Sequence, residues 1–520
     1  MQIGIYLGYG PQTILKKEGL GRYVADLICG FEKNDLDITI ACPKWLIFSV
    51  KELLSDAKIE TNKIKFITTK KISIFIKIFT KLKLIKKKKH IIDFNILLNK
   101  ISKKIVDLGN KVVSINSVSI FIFIIIVLAL LFIPISLLLL ITVLMLTLLY
   151  VVYIIIKKNV KKGKMIIKKA DIWDYFTYTV SNIFSGVLNS VIQRENRNLV
   201  RIINRSSKID LWYVPSLFWP AVNSINDSVV VINAPDLVTE LFPISFSKRI
   251  SSVMNIDIYK TIRNGKYFIT YSEYVKKNLL IDYFKKDQEN CYCIEHVNHD
   301  MSKYVKYSVD IGKFYNSKQN FIEINCRNML LGLGIRNEKY IFYSSQIRPN
   351  KNILNLLKAY KYLLREKFYT YKLVLTGNVY ADKEIKKYID DNYLKNDICV
   401  AYNVSDMELA SLYYCASLVV NPTKFEGGFP FTFSEGMSVG TPSIMSNIPQ
   451  CTEVIKENVD KLLFNPDDYL DIANKIEYAL NNVDYIYNLE LPIYRELEKR
   501  TPSVVAKEYI SIFEKICNKQ

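Results

Sequence analysis

Asn421–Pro442 reads NPTKFEGGFPFTFSEGMSVGTP. It follows the apolar run 418–421, passes through a Gly427-Gly428 turn, and enters a helix expected over 434–439. Glycines at such a turn let main-chain N–H groups approach a ligand closely, and a helix start carries partial positive charge suited to phosphate. Glu426 and Glu435 bracket the turn. Ionised carboxylates only accept hydrogen bonds, so their natural partners are hydroxyls such as those of a sugar and a ribose. The plainer alternative is a strand-to-helix turn in which Glu435 is a favourable acid at the helix start.

Outward from this stretch the chain alternates strand and helix. Strands are predicted at 340–344, 372–375, 398–402, 418–421, 443–445 and 461–464, between helices at 353–366, 382–392, 406–415, 434–439 and 469–480. The N-terminal part offers strands at 3–7, 38–41, 211–214, 229–233, 268–271 and 292–295, with helices such as 21–32 and 273–283. Alternation at this spacing predicts an α/β protein of two doubly wound domains with parallel sheets, and a ligand cleft between the carboxyl ends of their strands. A last helix, over 503–515, is placed to pack back across a domain surface.

A second block, YSSQIRPNKNILNLLKAY at Tyr343 to Tyr360, follows the first strand of the C-terminal domain. Arg348 and Lys351 fall in its strand-to-helix turn, positioned to neutralise a diphosphate and a developing leaving-group charge, or else to cap a surface helix as solvated cations. His296 and His299, in IEHVNHD, are two of only three histidines in the chain. No matching third and fourth ligands accompany them, so they read as polar groups lining the cleft or as packing residues in preference to a metal site.

The formal charge of +21 suggests a polyanion binder until it is located. Between Lys63 and Lys169 stand twenty-two lysines, no arginine and only two acids, Asp93 and Asp107, so this window holds +20 of it. The remainder is close to neutral, which argues against nucleic acid as the ligand. Val112 to Ile156 contains no Asp, Glu, Lys, Arg or His and is long enough for two membrane passes of about 20 residues each. Lysines flank both ends, so the positive-inside bias favours a hairpin, spanning twice or re-entering, over one long tilted helix or a buried soluble helix pair. The tract KLKLIKKKKH at Lys81 to His90 suits an anionic membrane surface. The chain opens on a strand-like MQIGIYLGYG with no secretory pattern, and its nine scattered cysteines read as reduced thiols. These features predict a plasma or inner membrane protein with its α/β domains cytoplasmic.

The two blocks together resemble the retaining glycosyltransferases of family 4, which have the GT-B architecture of two facing Rossmann-like domains. KEGLGRYVADL at Lys17 to Leu27 resembles that family's first glycine loop, VVVINAPDLVTELFP the middle of its N-terminal domain, and Tyr271-Ser272-Glu273 its next strand-to-helix passage. The resemblance implies residues 1–57 and 170–315 as an acceptor-side domain, 58–169 as a Lys-rich insertion with the hairpin at about 112–156, 316–500 as the nucleotide-sugar domain, and 501–520 as a returning helix. It implies catalytic roles for Arg348, Lys351 and Glu426. Donor binding falls to Gly19, Gly21, Val404, Gly427, Gly428, Phe429, Pro430 and Glu435, the last holding the ribose. Asp236, Ser272, His296, His299 and Gln346 become cleft contacts. Three departures stand out: eight residues separate the glutamates where seven are usual, Gln346 occupies the usual Arg position, and Pro235 precedes Asp236 where many relatives have His. The implied activity is transfer from a nucleotide diphosphate sugar to a lipid-linked or membrane-proximal glycan, without a permanent cofactor or metal. A noncatalytic membrane-bound scaffold or sugar-nucleotide sensor of the same fold is the alternative.

Overall fold

A computed structural model describes residues 1–11, 13–70, 72, 76, 188–246, 252–305, 335 and 338–519. Met1–Ile72 with Asn189–Gln520 form one compact unit, and Ser73–Leu188 are grouped as a second. The expected hairpin at 112–156 and the lysine tract at 81–90 lie outside the described residues. Among the described residues no helix is long and apolar enough to cross a membrane.

The first unit contains two parallel sheets. In the first, β1 (Gln2–Tyr6), β2 (Asp37–Cys42), β3 (Lys65–Thr68), β4 (Leu211–Val214), β5 (Val229–Asn233), β6 (Tyr267–Thr270) and β7 (Cys291–Cys293) run in the order β3-β2-β1-β4-β5-β6-β7. In the second, β8 (Tyr340–Tyr343), β9 (Lys372–Leu375), β10 (Ile398–Val400), β11 (Leu418–Asn421), β12 (Ser443–Ser446) and β13 (Leu463–Phe464) run in the order β10-β9-β8-β11-β12-β13. Central strands such as LWYV, YIFY and LVVN are buried at every position because helices cover both faces, so their sequence is a continuous apolar run instead of an alternation. Strand order reverses beside β1 and β4 in one sheet and beside β8 and β11 in the other. Loops splay apart at these points, leaving the crevice where doubly wound proteins bind ligands.

Several elements differ from the sequence expectation. β3 falls inside the stretch 58–169 assigned to the insertion, yet pairs with β2 in parallel register from Thr39↔Lys65 to Cys42↔Thr68. It is an edge strand with Lys65 turned to solvent, and edge strands tolerate lysine, so basic composition hid it. The helix expected at 434–439 spans Phe431–Met437, beginning directly after Pro430 and carrying Glu435 into its second turn. Expected strand 461–464 shrinks to β13, preceded by the helical turn Val459–Leu462. The helix expected over 273–283 is wound as a π-helix at Val275–Tyr283.

The C-terminal helix Pro502–Cys517 returns to the first sheet and packs on α1 (Gly19–Glu32). Tyr509 and Phe513 are fully buried there; the Tyr509 hydroxyl lies 2.8 Å from that of Tyr23, and its ring meets Tyr213 edge-on at 5.5 Å. Arg500 clamps the crossing: it bonds the Glu295 and His296 carbonyls and both carboxylate oxygens of Glu508 at 3.0 Å. The passage from the first sheet to the second and the returning passage are thereby tied together. The eight cysteines among the described residues are free thiols.

Gly30 on α1 shows how tight this return is, because a Cβ there would stand 2.1 Å from the Pro502 carbonyl oxygen. Gly→Ala inside a helix ordinarily stabilises by about 1 kcal/mol. Gly30→Ala should instead destabilise by about 2 kcal/mol through overpacking, as read by chemical denaturation.

Candidate functional site

The site grows from two loops of the second sheet. The loop after β8 contains Arg348-Pro349-Asn350-Lys351-Asn352, and the loop after β11 runs from Pro422 to Pro430. Side-chain amides stitch one to the other. Asn350 Nδ2 donates to the Phe425 carbonyl at 3.0 Å, its own carbonyl accepts from Lys424 N at 2.7 Å, and Asn352 Nδ2 donates to the carbonyls of Pro422 and Pro466. Asn352 adopts φ 55°, a left-handed conformation that asparagine tolerates, and starts the next helix there. This double tie places Lys351 Nζ 2.5 Å from Glu426 Oε1, with about a fifth of each side chain exposed.

Across from this pair stands Asp236, from the loop after β5. The residue is exposed, although protein crowds around its carboxyl. Burial pushes it above the usual carboxylate range, Arg348 and Lys351 oppose the rise, and Glu426 adds to it. Two cations and two carboxylates therefore share one crevice. Arg348 is exposed and donates to Gln346 Oε1 at 2.9 Å, so the guanidinium and the residue at the resemblance's Arg position act as one polar unit.

The glycine turn is held from the first sheet. A Cβ on Gly427 would lie 1.6 Å from the Pro235 carbonyl oxygen, and one on Gly428 would lie 2.8 Å from Tyr271 Cβ. Ser272 Oγ donates to the Gly427 carbonyl at 2.9 Å, and His296 Nε2 donates to the Phe429 carbonyl at 2.7 Å. Because a trans peptide sets its N–H opposite its carbonyl, anchoring the Gly427 carbonyl turns the Gly428 N–H the other way, whereas Phe429 is followed by Pro430, which has no N–H. The His296 ring stacks on Phe431 at 4.0 Å. Burial lowers this imidazole from the usual 6.5 to about 4, so it stays neutral with one N–H to donate. Glu453, beyond β12, accepts from the Glu273 and Tyr274 amides at 3.0 and 2.6 Å and so caps the π-helix of the first sheet.

Glu435 is buried behind the turn. Its Oε1 accepts from His299 Nδ1 and its Oε2 from the Tyr413 hydroxyl, each at 2.5 Å. Burial alone would raise the carboxyl, but the bonds from His299 and Tyr413, with Arg22 nearby, hold it below its ordinary value. Among the described residues no three His, Cys, Asp or Glu side chains cluster in a way that could hold a metal ion.

The structure thus gathers Arg348, Lys351, Glu426, Asp236, Gln346, Gly427, Gly428, Phe429, Ser272 and His296 around one crevice, with Glu435 and His299 paired beside Pro430 and its helix. Gly21 has a different reason to be glycine: a Cβ would meet the Leu15 carbonyl oxygen at 2.0 Å, so it packs a turn of its own lobe. Gly19 is exposed with nothing within 4 Å of where a Cβ would stand. Val404 is half-buried against the second sheet's core. Sequence reasoning missed Asn350, Asn352 and Tyr413. The amide-rich PNKN turn was the available signal for the first two, whereas Tyr413 sits in LASLYYC, which reads only as core.

With this geometry in place, the family described as Glycosyl transferases group 1 matches residues 333–490. This stretch resembles a glycosyltransferase group 1 domain. The O-antigen chain mannosyltransferase B of Escherichia coli is 31% identical over 144 residues, covering 28% of this chain and 37% of that protein. The lipopolysaccharide 1,2-N-acetylglucosaminetransferase of Salmonella typhimurium is 29% identical over 150 residues, covering 27% and 39%. The chain spans less than half the length of the curated relatives it matches. Among solved structures, Anabaena HepE in complex with UDP and glucose aligns with a TM-score of 0.56 over 99% of both chains at 12% identity. A glycosyltransferase from Rickettsia africae aligns at 0.54 over 100% of this chain and 99% of its own, at 13% identity. At such identities the likeness speaks for the fold, which is GT-B.

The neutral state of His296 has a consequence for stability. The unfolded chain takes up a proton near pH 6.5 and the folded ring only near pH 4, so the unfolded state binds more protons between them. Stability from this group is complete above about pH 6.5 and falls as pH drops toward 4, by on the order of 3 kcal/mol. His296→Gln, which keeps an N–H donor and cannot charge, should lose less stability than the parent across this window when unfolding is followed against pH.

Proposed function

We propose that this protein is a retaining glycosyltransferase that moves a sugar from a nucleotide diphosphate donor to a lipid-linked glycan at the inner face of the plasma or inner membrane. The observation that carries the reading is the Lys351–Glu426 pair, held by stitched loops opposite Asp236. Lys351 and Arg348 are placed to take the negative charge that develops on a departing diphosphate, the role a metal plays elsewhere. Glu426, released from Lys351 when phosphate binds, is an acceptor for donor-sugar hydroxyls. Asp236, with its raised carboxyl, belongs to the first-sheet lobe that the resemblance implies as the acceptor side. The family resemblance adds same-face attack, with the leaving phosphate assisting removal of the acceptor proton. Support for the donor class comes from the HepE complex with UDP and glucose, and for the acceptor class from relatives that include a Campylobacter jejuni enzyme named for an undecaprenol-diphosphate-linked glycan. The apolar run at 112–156 and its lysine flanks would hold the enzyme where such an acceptor resides, a gain in proximity.

The test is release of nucleoside diphosphate by the full chain from a panel of nucleotide sugars, with membrane lipid extract as acceptor. Turnover in the parent and a loss of about 10²–10³-fold in Lys351→Ala and Glu426→Ala, with unfolding midpoints near the parent's, is the expected result. Donor binding without turnover on any acceptor would favour the sensor or scaffold; parental rates in both variants would overturn the site. Deleting residues 112–156 should move the protein from the membrane pellet to the supernatant, and a deletion variant that still pellets would place the attachment in the lysine tract or a partner.

A further inference from the structure

We propose that a groove on the first-sheet lobe, between the helix Ser252–Asn264 and the π-helix Val275–Tyr283, binds an acidic saccharide, a sugar carrying a carboxylate or a phosphate. The site is separate from the crevice. Its role, holding a remote part of an acidic glycan acceptor or product, rests on the glycan-acceptor reading above; the binding itself does not.

The groove has a volume of about 700 Å³, within the ordinary range for a small-ligand site. Its place follows from the chain path. The helix Ser252–Asn264 leads into the start of β6 at Tyr267, and the π-helix returns from the far end of that strand, so their last turns meet at its amino end. The Lys351–Glu426 crevice lies past the carboxyl ends of the strands, at the opposite edge.

The walls combine three kinds of group. Apolar surface comes from Tyr283 and Ile256, 56% and 49% exposed, and from Phe284, which meets Tyr259 at 5.3 Å and Tyr283 at 4.9 Å, both edge-on. Such rings offer apolar faces to the C–H side of a sugar and keep a polar tip. Hydrogen-bond acceptors stand at the edge. The Tyr259 hydroxyl gives its proton to Glu240 Oε2 at 2.5 Å, so the Tyr283 hydroxyl, 3.2 Å away, donates to Tyr259. The Tyr283 oxygen and the second oxygen of Glu240 are left to accept from sugar hydroxyls.

The third kind is cationic. Lys260, Arg263, Lys285 and Lys286 line the groove, and among the described residues no carboxylate does. Lys286 is built into it: Nζ donates to the Arg263 and Gly265 carbonyls at 3.0 Å each and lies 5.4 Å over the Phe268 ring. An ammonium has three N–H donors, so one is left for a ligand. Burial lowers this ammonium from its ordinary value, a penalty that an arriving anion relieves. Lys285 takes φ 55° at the end of the π-helix, a conformation usually left to glycine. Backbone strain and π-helical winding both concentrate at functional positions. Ile262 is buried at the base and Glu240 stands at the edge, which suits a hydroxyl-bearing ring entering the groove over a flat anionic bilayer laid across it.

The test is calorimetric binding to the full chain in detergent. Tetragalacturonate and mannose phosphate are compared with maltotetraose, inorganic phosphate and dihexanoyl-phosphatidylglycerol. At least one of the two acidic sugars should bind about tenfold or more tightly than both maltotetraose and inorganic phosphate, the size expected for charge-assisted hydrogen bonds. Tyr283→Ala and Arg263→Gln, changes at exposed side chains, should each weaken that sugar about fivefold or more, the scale of one lost aromatic or charged contact. Lys351→Ala should leave its affinity unchanged. Equal affinity for acidic and neutral sugars, or parental affinity in both groove variants, would overturn the proposal. Loss of the acidic sugar in Lys351→Ala would do the same by placing it in the crevice, as would binding of the phospholipid alone. None of these results touches the donor reading, which nucleoside diphosphate release decides.

Discussion

Main chain meets main chain at Gly427, and the site depends on that contact. With the Pro235 carbonyl oxygen 1.6 Å from where a Cβ would stand, only glycine permits the loop after β11 to reach the loop after β5. Glu426 is its neighbour in sequence and so is carried to the Asp236 side of the crevice. Phe425, one residue earlier, is buried in the apolar cluster of the first sheet although it belongs to a loop of the second. The approach is therefore covered by apolar packing on one side and completed by Ser272 and His296 on the other, which accounts for why the turn needs two glycines in succession.

Local charge follows from the same geometry. Arg348 and Lys351 against Glu426 and Asp236 make the crevice nearly neutral before any ligand arrives. Partly buried ions lose much of their hydration, and a pair of this kind is retained at a desolvation cost that its mutual attraction only roughly offsets. An arriving diphosphate can take over the attraction to Lys351 without exposing a bare cation, and Glu426 is freed for a neutral hydroxyl partner. Under the proposed function, that exchange would let the site bind a dianion and release it.

Much of this was legible in sequence because doubly wound sheets bury their central strands on both faces, and YIFY, LWYV and LVVN have no other plausible home. The Lys351 and Glu426 blocks were legible for the same reason: each follows such a strand immediately. β3 was not, since its lysine-rich surroundings resemble the inserted tract and an edge strand needs only partial burial. The start of the helix after Pro430 was misplaced by three residues, enough to put Glu435 in the first turn when it stands in the second, where packing sets its partners. Tyr413 was invisible because an aromatic in an apolar helix ordinarily fills core, and its hydroxyl acquires a role only when a carboxylate from another helix is brought beside it. Gly21 was read as a ligand-approach residue, whereas the local turn at Leu15 already requires it.

One short segment joins both ends of the decisive stretch. In IEHVNHD, His296 holds the Phe429 carbonyl and His299, three residues on, holds the Glu435 carboxylate. Arg500 bonds the carbonyls of Glu295 and His296, and Asn298 N donates to the Arg500 carbonyl at 3.1 Å, so the segment is anchored at the point where the chain passes back toward its last helix. The glycine turn and the Glu435 pair therefore cannot shift independently: any change in how the two sheets approach moves both histidines as one piece. A histidine pair that looks in sequence like half of a metal site is, in the folded chain, two donors directed at two acceptors of the same loop and helix.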